Sequence, residues 1–259
     1  MERPEFWGLN PSIKNFFYLL AAVALFAFFA GSYNKLKRWQ TGLKGEPGEP
    51  GSGSMASFAW QSFKTLFTSG CLFARRSFRL SRPRAIFLMA VQWSFLILFA
   101  GSVMGFLDAH IFVGFLSGKP YLIFKCLYDI AGTVFIICIA GAIIRRLAVK
   151  RLPSSGYDYF LLLLMFLVGI TSFMMQGIRF NLMYWVDEPF SPLGILFKTL
   201  FVGMDSSVYE TMYSAAWVLH TSLSLLLIAY LPYSRMFHIF AAQITTQAAR
   251  EREKAAGIK

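Results

Sequence analysis

The sequence predicts an all-α integral membrane bundle of about five transmembrane helices, and three observations predict it. Of the 259 residues, 56% are hydrophobic and 15% charged, and Phe alone occurs 28 times. That leaves too thin a polar shell for a soluble domain of this size. The apolar residues gather in five runs, at residues 13–33, 85–107, 121–144, 157–178 and 212–233. Each is near the roughly 20 residues that a helix needs to cross a bilayer core about 30 Å thick. Charge alternates with these runs: 19 of the 25 Lys and Arg fall in residues 34–84, 145–151 and 234–259. Basic loops stay cytoplasmic, so five spans with the N-terminus outside and the C-terminus inside put every basic segment on one side. The net charge of +12 therefore predicts a membrane-lipid partner and no nucleic acid.

Residues 1–33 form the outer N-terminus and the first span. Glu2, Arg3 and Glu5 make its start acidic as well as basic, and no small-residue cleavage site follows. Lys35, Lys37 and Arg38 form a stop-transfer flank, so this run is expected to remain as a span rather than be cleaved as a signal. Residues 34–84 form a basic cytoplasmic segment. Within it, residues 44–54 read KGEPGEPGSGS, a flexible linker with too few G-x-y triplets for a triple helix. In residues 57–84, Phe58, Phe63, Leu66, Phe67 and Phe73 interleave with Lys64, Arg75, Arg76 and Arg79. That pattern predicts a basic amphipathic helix on the inner leaflet, or a docking surface for a cytoplasmic partner. Residues 85–240 hold the other four spans, and 241–259 a cytoplasmic tail. The stretch 111–116 is too short to span. So is 190–202, which is broken by Pro192 and Gly194 and is expected to be re-entrant or interfacial. No internal repeat supports an inverted-repeat transporter.

The cysteines Cys71, Cys126 and Cys138 form no C-x-x-C pair, so the chain is expected to hold neither an iron–sulfur cluster nor a zinc site. Ionisable residues inside spans are costly and mark function by default. His220 and His238 are 18 residues apart, about five full turns, which puts both on one helix face roughly 27 Å apart along a regular helix. Imidazoles at two depths suit axial ligation of haem iron; the alternative is one packed and one interfacial histidine. Pro232 lies between them, where a kink would loosen the register. On this topology Asp129, Gln176 and Arg179 lie at the outer level of His220. They could form a quinone site in which a carboxylate takes the quinol proton, or Asp129 and Arg179 could be a structural ion pair. Lys119 and Lys125 are further candidates for steadying a quinone oxygen. Asp187, Glu188, Asp205 and Glu210 are expected to be solvated loop charges. No phosphate loop, catalytic triad or metal-ligand cluster is visible.

The last run reads WVLHTSLSLLLIAYLPYSRMFHIF over residues 217–240. It resembles the last helix of the respiratory nitrate reductase gamma subunit, a dihaem cytochrome b that oxidises quinol. The likeness to membrane subunits of heterodisulfide-reductase-like complexes is closer still. It is carried also by EFWG (5–8), KLKRW (35–39), LFARRSFRLSRPR (72–84), SFLILFAGS (94–102), YDIAG (128–132) and GIRF (177–180). The resemblance implies a membrane subunit of a respiratory redox complex in the inner membrane of a prokaryotic cell. Such a subunit is not catalytic alone; it exchanges electrons between menaquinone or a similar quinone and a separate iron–sulfur subunit, through haem b.

In that family the second helix supplies the opposing haem ligands, and here the sequence departs. Leu88, Gln92 and Ser102 stand where histidines would be expected. The histidine near this helix is His110, at a place where the nitrate reductase pattern has a non-ligand histidine. His238 is left without an evident partner. His220 could pair with His110 or with a non-histidine group such as Met89 or Met104, though methionines in spans usually pack. One haem is favoured over two, with none still open. The alternative function is a haem-free quinone-binding or purely structural anchor of such a complex. A transporter, the other alternative, would need a polar pathway that the first, second and fourth spans lack.

Overall fold

A computed structural model describes residues 9–43, 82–112, 114–149, 156–182, 188–234 and 237. The helices are α1 (Pro11–Leu43), α2 (Arg82–His110), α3 (Gly118–Ala148), α4 (Gly156–Leu182), α5 (Pro192–Leu200) and α6 (Ser206–Tyr230). Single 3-10 turns cover Glu188–Phe190 and Leu231–Tyr233, and the described residues include no strand. Five stretches are long and apolar enough to cross a membrane: Pro11–Lys35, Ala85–Asp108, Gly118–Ala148, Gly156–Leu182 and Ser206–Tyr233. The chain is a multi-pass membrane protein of the predicted all-α class. The first four spanning helices outrun their apolar runs at both ends, because backbone hydrogen bonding continues past the apolar core where long basic side chains can reach water. Thus α3 continues through Arg145 and Arg146 in its last turn. By contrast, α6 gives way at Tyr230 to the 3-10 turn that contains Pro232.

Large apolar side chains face outwards throughout. Phe26 is 77% exposed and Ile123 71%, a costly arrangement in water and the ordinary one in lipid. The stretch 111–116 is a connecting turn: Asp108 Oδ1 accepts from the Leu116 amide at 2.8 Å, and Phe112 N donates to Leu107 O at 2.8 Å. The broken stretch at 190–202 resolves into α5, whose 9 residues reach about 13 Å, under half a bilayer core. The linker at 44–54, His238 and the tail at 241–259 lie outside the described residues. So does the amphipathic segment, except for residues 82–84, which open α2.

The described residues fall into two compact units. One draws on Met1–Ala21 and Phe87–Leu227, the other on Ala22–Ile86 and Ile228–Lys259. In the first unit Phe135, Ile139, Met165 and Ile178 are fully buried. Ile178 joins Tyr209, Tyr213 and Ala216 in a core that Met175, Leu182 and Trp217 flank. Helices approach closely where side chains are absent, as membrane helices do: a Cβ on Gly101 would stand 2.5 Å from the Tyr128 ring. In the second unit Gly31 of α1 meets Pro232 and Tyr233, where a Cβ would lie 2.9 Å from either. One turn on, Lys35 Nζ sits 5.3 Å from the Phe237 ring centroid, a cation–π distance.

Candidate functional site

The site is built on α5. Ser191 precedes it, Pro192 begins it without an N–H to leave unpaired, and two glycines seat it on α4. A Cβ on Gly177 would lie 2.6 Å from the Phe197 main-chain carbon, and one on Gly194 2.5 Å from Ser191 Oγ and 2.7 Å from Gln176 Nε2. Asn181 Nδ2 donates to the Lys198 carbonyl at 2.9 Å, satisfying one of the end carbonyls that a helix leaves open. The Lys198 ammonium meets Glu188 Oε1 at 2.6 Å, tying the end of α5 to the turn before it.

Ser191 sits where a cap residue would bond its own helix, yet its hydroxyl makes no cap bond. It donates instead to Asp129 Oδ1 of α3 and accepts from Gln176 Nε2 of α4. All three side chains are buried, Ser191 completely. An amide nitrogen can only donate, so the hydroxyl accepts from Gln176 and keeps its own hydrogen for the carboxylate. Arg179 is also buried, with its guanidinium 5.2 Å from the Phe180 ring centroid. Ser191 engages one oxygen of the Asp129 carboxylate. Lys125 is buried a turn before Asp129, its Nζ 6.0 Å from the Tyr128 ring centroid. Lys119 is exposed, and its ten-residue separation from Asp129 is about 15 Å along α3. Asp129 and Gln176 thus meet at Ser191, Arg179 is buried one turn on from Gln176 along α4, and Lys119 stands apart.

His220 projects from α6 towards α4. Its Nδ1 lies 3.1 Å from the Val168 carbonyl and 3.1 Å from Thr171 Oγ1. Thr171 spends its own hydrogen on the Leu167 carbonyl at 2.7 Å, so both partners of Nδ1 are acceptors. The proton therefore belongs on Nδ1 and the lone pair on Nε2, and Nε2 makes no hydrogen bond among the described residues. On α4, Gln176 lies about 140° round the helix from Thr171 and roughly 7.5 Å along it. Thr171 and Gln176, the α4 side chains that meet the imidazole and the carboxylate cluster, therefore stand on well-separated faces of one helix.

His110 is differently placed. It is exposed at the end of α2, its Nδ1 3.2 Å from the Phe106 carbonyl and its Nε2 2.9 Å from Tyr18 Oη. Both ring nitrogens are engaged, and the ring stacks on Phe106 at 4.6 Å. On α2, Leu88 is exposed, Met89, Gln92 and Met104 are half-buried, and Ser102 Oγ returns to its own helix at Leu98 O, 3.0 Å away. Among the described residues no group of three or more His, Cys, Asp or Glu could hold a metal ion.

Ser191 and Thr171 escaped the sequence reading. The Ser-Pro pair at 191–192 signals a helix start, but local pattern does not say that the hydroxyl leaves its helix for residue 129.

The fold and the site define a polytopic all-α membrane bundle in which a buried carboxylate from α3 and a half-buried imidazole from α6 both reach partners on or beside α4. Its sequence is similar along nearly the whole chain to subunits of redox complexes. It is 26% identical to a subunit of the dihydromethanophenazine:CoB–CoM heterodisulfide reductase of Methanosarcina thermophila, over 95% of this chain and 97% of that subunit. With the corresponding subunit of Methanosarcina barkeri it shares 26% identity over 94% of this chain and 95% of the relative. It is 23% identical to the EtfAB:quinone oxidoreductase of Syntrophomonas wolfei over 92% of this chain. That alignment covers 34% of the relative, so the chain spans about a third of its length. No family model matches the chain, and no solved structure does. The likenesses and the five apolar helices support a membrane subunit of a redox complex.

Proposed function

We propose that this chain moves electrons between the membrane quinone pool and an iron–sulfur subunit of a heterodisulfide-reductase-like complex, through b-type haem. The quinone is menaquinone or a similar carrier, and the membrane is the cytoplasmic membrane of a prokaryotic cell. The relatives' names supply the two ends of this reading: a quinone in one, a heterodisulfide in the others. The observation that carries it is the state of His220. A ligating histidine usually gives its other N–H to a carbonyl or carboxylate, which fixes the tautomer, and His220 gives Nδ1–H to Val168 O. The residues present fit one axial bond from Nε2. When bound there, haem b supplies a one-electron carrier inside the span. His238, which lies outside the described residues, is the candidate for a second such bond; His110, the histidine on α2, would first have to release Tyr18 from its Nε2.

The same unit supplies the proton chemistry. Asp129, buried and held by Ser191, is placed to exchange a proton with a quinol hydroxyl, while Arg179 and Gln176 position the ring oxygens. A carboxyl group in this role is an ordinary general acid or base. The nitrate reductase gamma likeness of the last helix adds to this reading.

The test is a dithionite-reduced minus air-oxidised visible spectrum of the purified complex, with haem quantified per chain. Sharp b-type bands at one haem per chain, lost in His220→Ala, are expected. Two haems would bring in His238. A colourless preparation would sink the cytochrome reading in favour of a haem-free, quinone-binding anchor. That second reading draws support from α2, which presents Leu88 outwards and bonds Ser102 to itself.

A further inference from the structure

We propose that Ser191 is a positioning residue for Asp129: its hydroxyl, loaded by Gln176, holds one carboxyl oxygen and leaves the other to exchange the proton of a hydroquinone. The inference rests on the quinone reading of this cluster.

The serine is fixed from every side. Its amide donates to Glu188 O at 3.1 Å, and its carbonyl accepts from Ile195 N at 2.9 Å. Pro192 follows it, and the Glu188–Lys198 pair closes the surrounding loop. A serine before a helix ordinarily bonds an amide of that helix. Ser191 forgoes that bond, and its completely buried hydroxyl spends its single hydrogen across the helix interface on Asp129 Oδ1. Gln176, donating to Ser191 Oγ, fills one of its two lone pairs and leaves the hydroxyl hydrogen free for the carboxylate. Oδ2 of Asp129 makes no hydrogen bond among the described residues and is the oxygen left for substrate. Gly194 completes the device, because any side chain there would wedge between Ser191 and Gln176.

The elements that carry this line also bear Lys125 on α3, Arg179 on α4, Glu188 in the turn and Lys198 on α5. In the oxidising direction a hydroquinone O–H bond breaks and an Oδ2–H bond forms. The electron leaves for a one-electron acceptor of the haem or iron–sulfur class. The reverse direction runs the same step backwards. A carboxyl free to rotate meets the substrate in the right geometry less often, so the loss should fall on kcat rather than KM.

The experiment uses the purified complex with a short-chain naphthoquinol and an artificial one-electron acceptor. It also records the redox-induced infrared difference spectrum in the carboxyl region. Ser191→Ala is expected to lower kcat roughly 10- to 100-fold with KM within about twofold. It should also move the carboxyl band that Asp129→Asn abolishes. Ser191→Thr keeps the hydroxyl and should restore both. Should Ser191→Ala not fold, Ser191→Cys, a weak donor, should give an intermediate kcat and a displaced band. Unchanged kcat and an unmoved band in whichever variant folds would overturn the inference, and so would Ser191→Thr behaving like the weaker donors. The quinone reading fails separately: Asp129→Asn with full activity would remove it. An inactive Asp129→Asn beside a silent Ser191→Ala would sink the role of the serine alone.

Discussion

The imidazole of His220 on α6 gives its Nδ1 proton to the main-chain carbonyl of Val168 on α4, 3.1 Å away. A carbonyl accepts only, so this bond chooses the tautomer, and no side-chain substitution on α4 removes it. Thr171 shares the same proton at 3.1 Å but is not required for the choice. Thr171→Val is therefore expected to cost about 1 kcal/mol of stability, the usual net worth of one buried hydrogen bond, while leaving the b-type bands of the proposed haem in place. Unfolding in detergent, monitored beside the reduced-minus-oxidised spectrum, checks both halves. Loss of the bands with the fold intact would mean that the hydroxyl, not the carbonyl, orients the ring.

Gly177 tests the seating of α5. The atoms that a Cβ would meet are Phe197 C at 2.6 Å and Lys198 N at 2.8 Å, which are main chain and cannot swing aside. Gly177→Ala is expected to destabilise by about 1–3 kcal/mol, the range for overpacking a close contact. Gly105, with nothing within 4 Å of its would-be Cβ, is the control: Gly105→Ala should be neutral or stabilising by up to about 1 kcal/mol, because alanine is the better helix former. Thermal melts of both variants in one detergent make the comparison. Equal melting temperatures would mean that α5 yields to the added methyl.

The helices were legible because a bilayer sets their length and leaves the composition little freedom. That is why the run at 85–107 and the observed span Ala85–Asp108 agree to a residue at either end. The short stretch at 190–202 was legible for the same reason: Pro192 and Gly194 break a run that was already too short. The polar cluster was half legible. Asp129, Gln176 and Arg179 stand out as ionisable or amide groups in apolar surroundings, and all three are buried, the first two meeting at Ser191. Their connection was not legible, because it runs through Ser191, a small residue that nothing in the local pattern ties to residue 129. The sequence equally allowed an Asp129–Arg179 pair, since charge alone does not say which donor lies in reach. His220 stood out as an imidazole inside a span. Its protonated nitrogen depends on a carbonyl 52 residues away, which no helical periodicity encodes.

The Glu188–Lys198 pair joins the two ends of the α5 segment at 2.6 Å, with Lys198 31% and Glu188 16% exposed. Solvent screening keeps such a pair modest, at about 1 kcal/mol of coupling. The asymmetry is more telling. Glu188 Oε2 is buried without a hydrogen-bond partner among the described residues, so removing the lysine strands a half-buried charge. Lys198→Met is expected to destabilise more than Lys198→Met combined with Glu188→Gln. A double-mutant cycle by thermal unfolding measures this, and additive effects would show that the pair does not strap the loop.

Orientation in the membrane decides which side the proposed quinone chemistry serves, and α3 can report it. The helix runs from Gly118 to Ala148 over 31 residues, about 46 Å, enough to place its ends on opposite sides of a bilayer. Lys119 and Ala148 are both exposed, and Arg145 and Arg146 mark the Ala148 end as the basic one. Basic flanks stay inside. With Cys71, Cys126 and Cys138 replaced by serine, a cysteine at 119 is expected to react with a membrane-impermeant maleimide in intact cells. A cysteine at 148 should react only after permeabilisation. Asp129 is ten residues from Lys119, about 15 Å, so this outcome puts the carboxylate, Ser191 and α5 in the outer part of the bilayer and proton exchange on the outer side. The reverse labelling would invert the topology and carry the same cluster to the cytoplasmic side, where protons released from quinol would not cross the membrane.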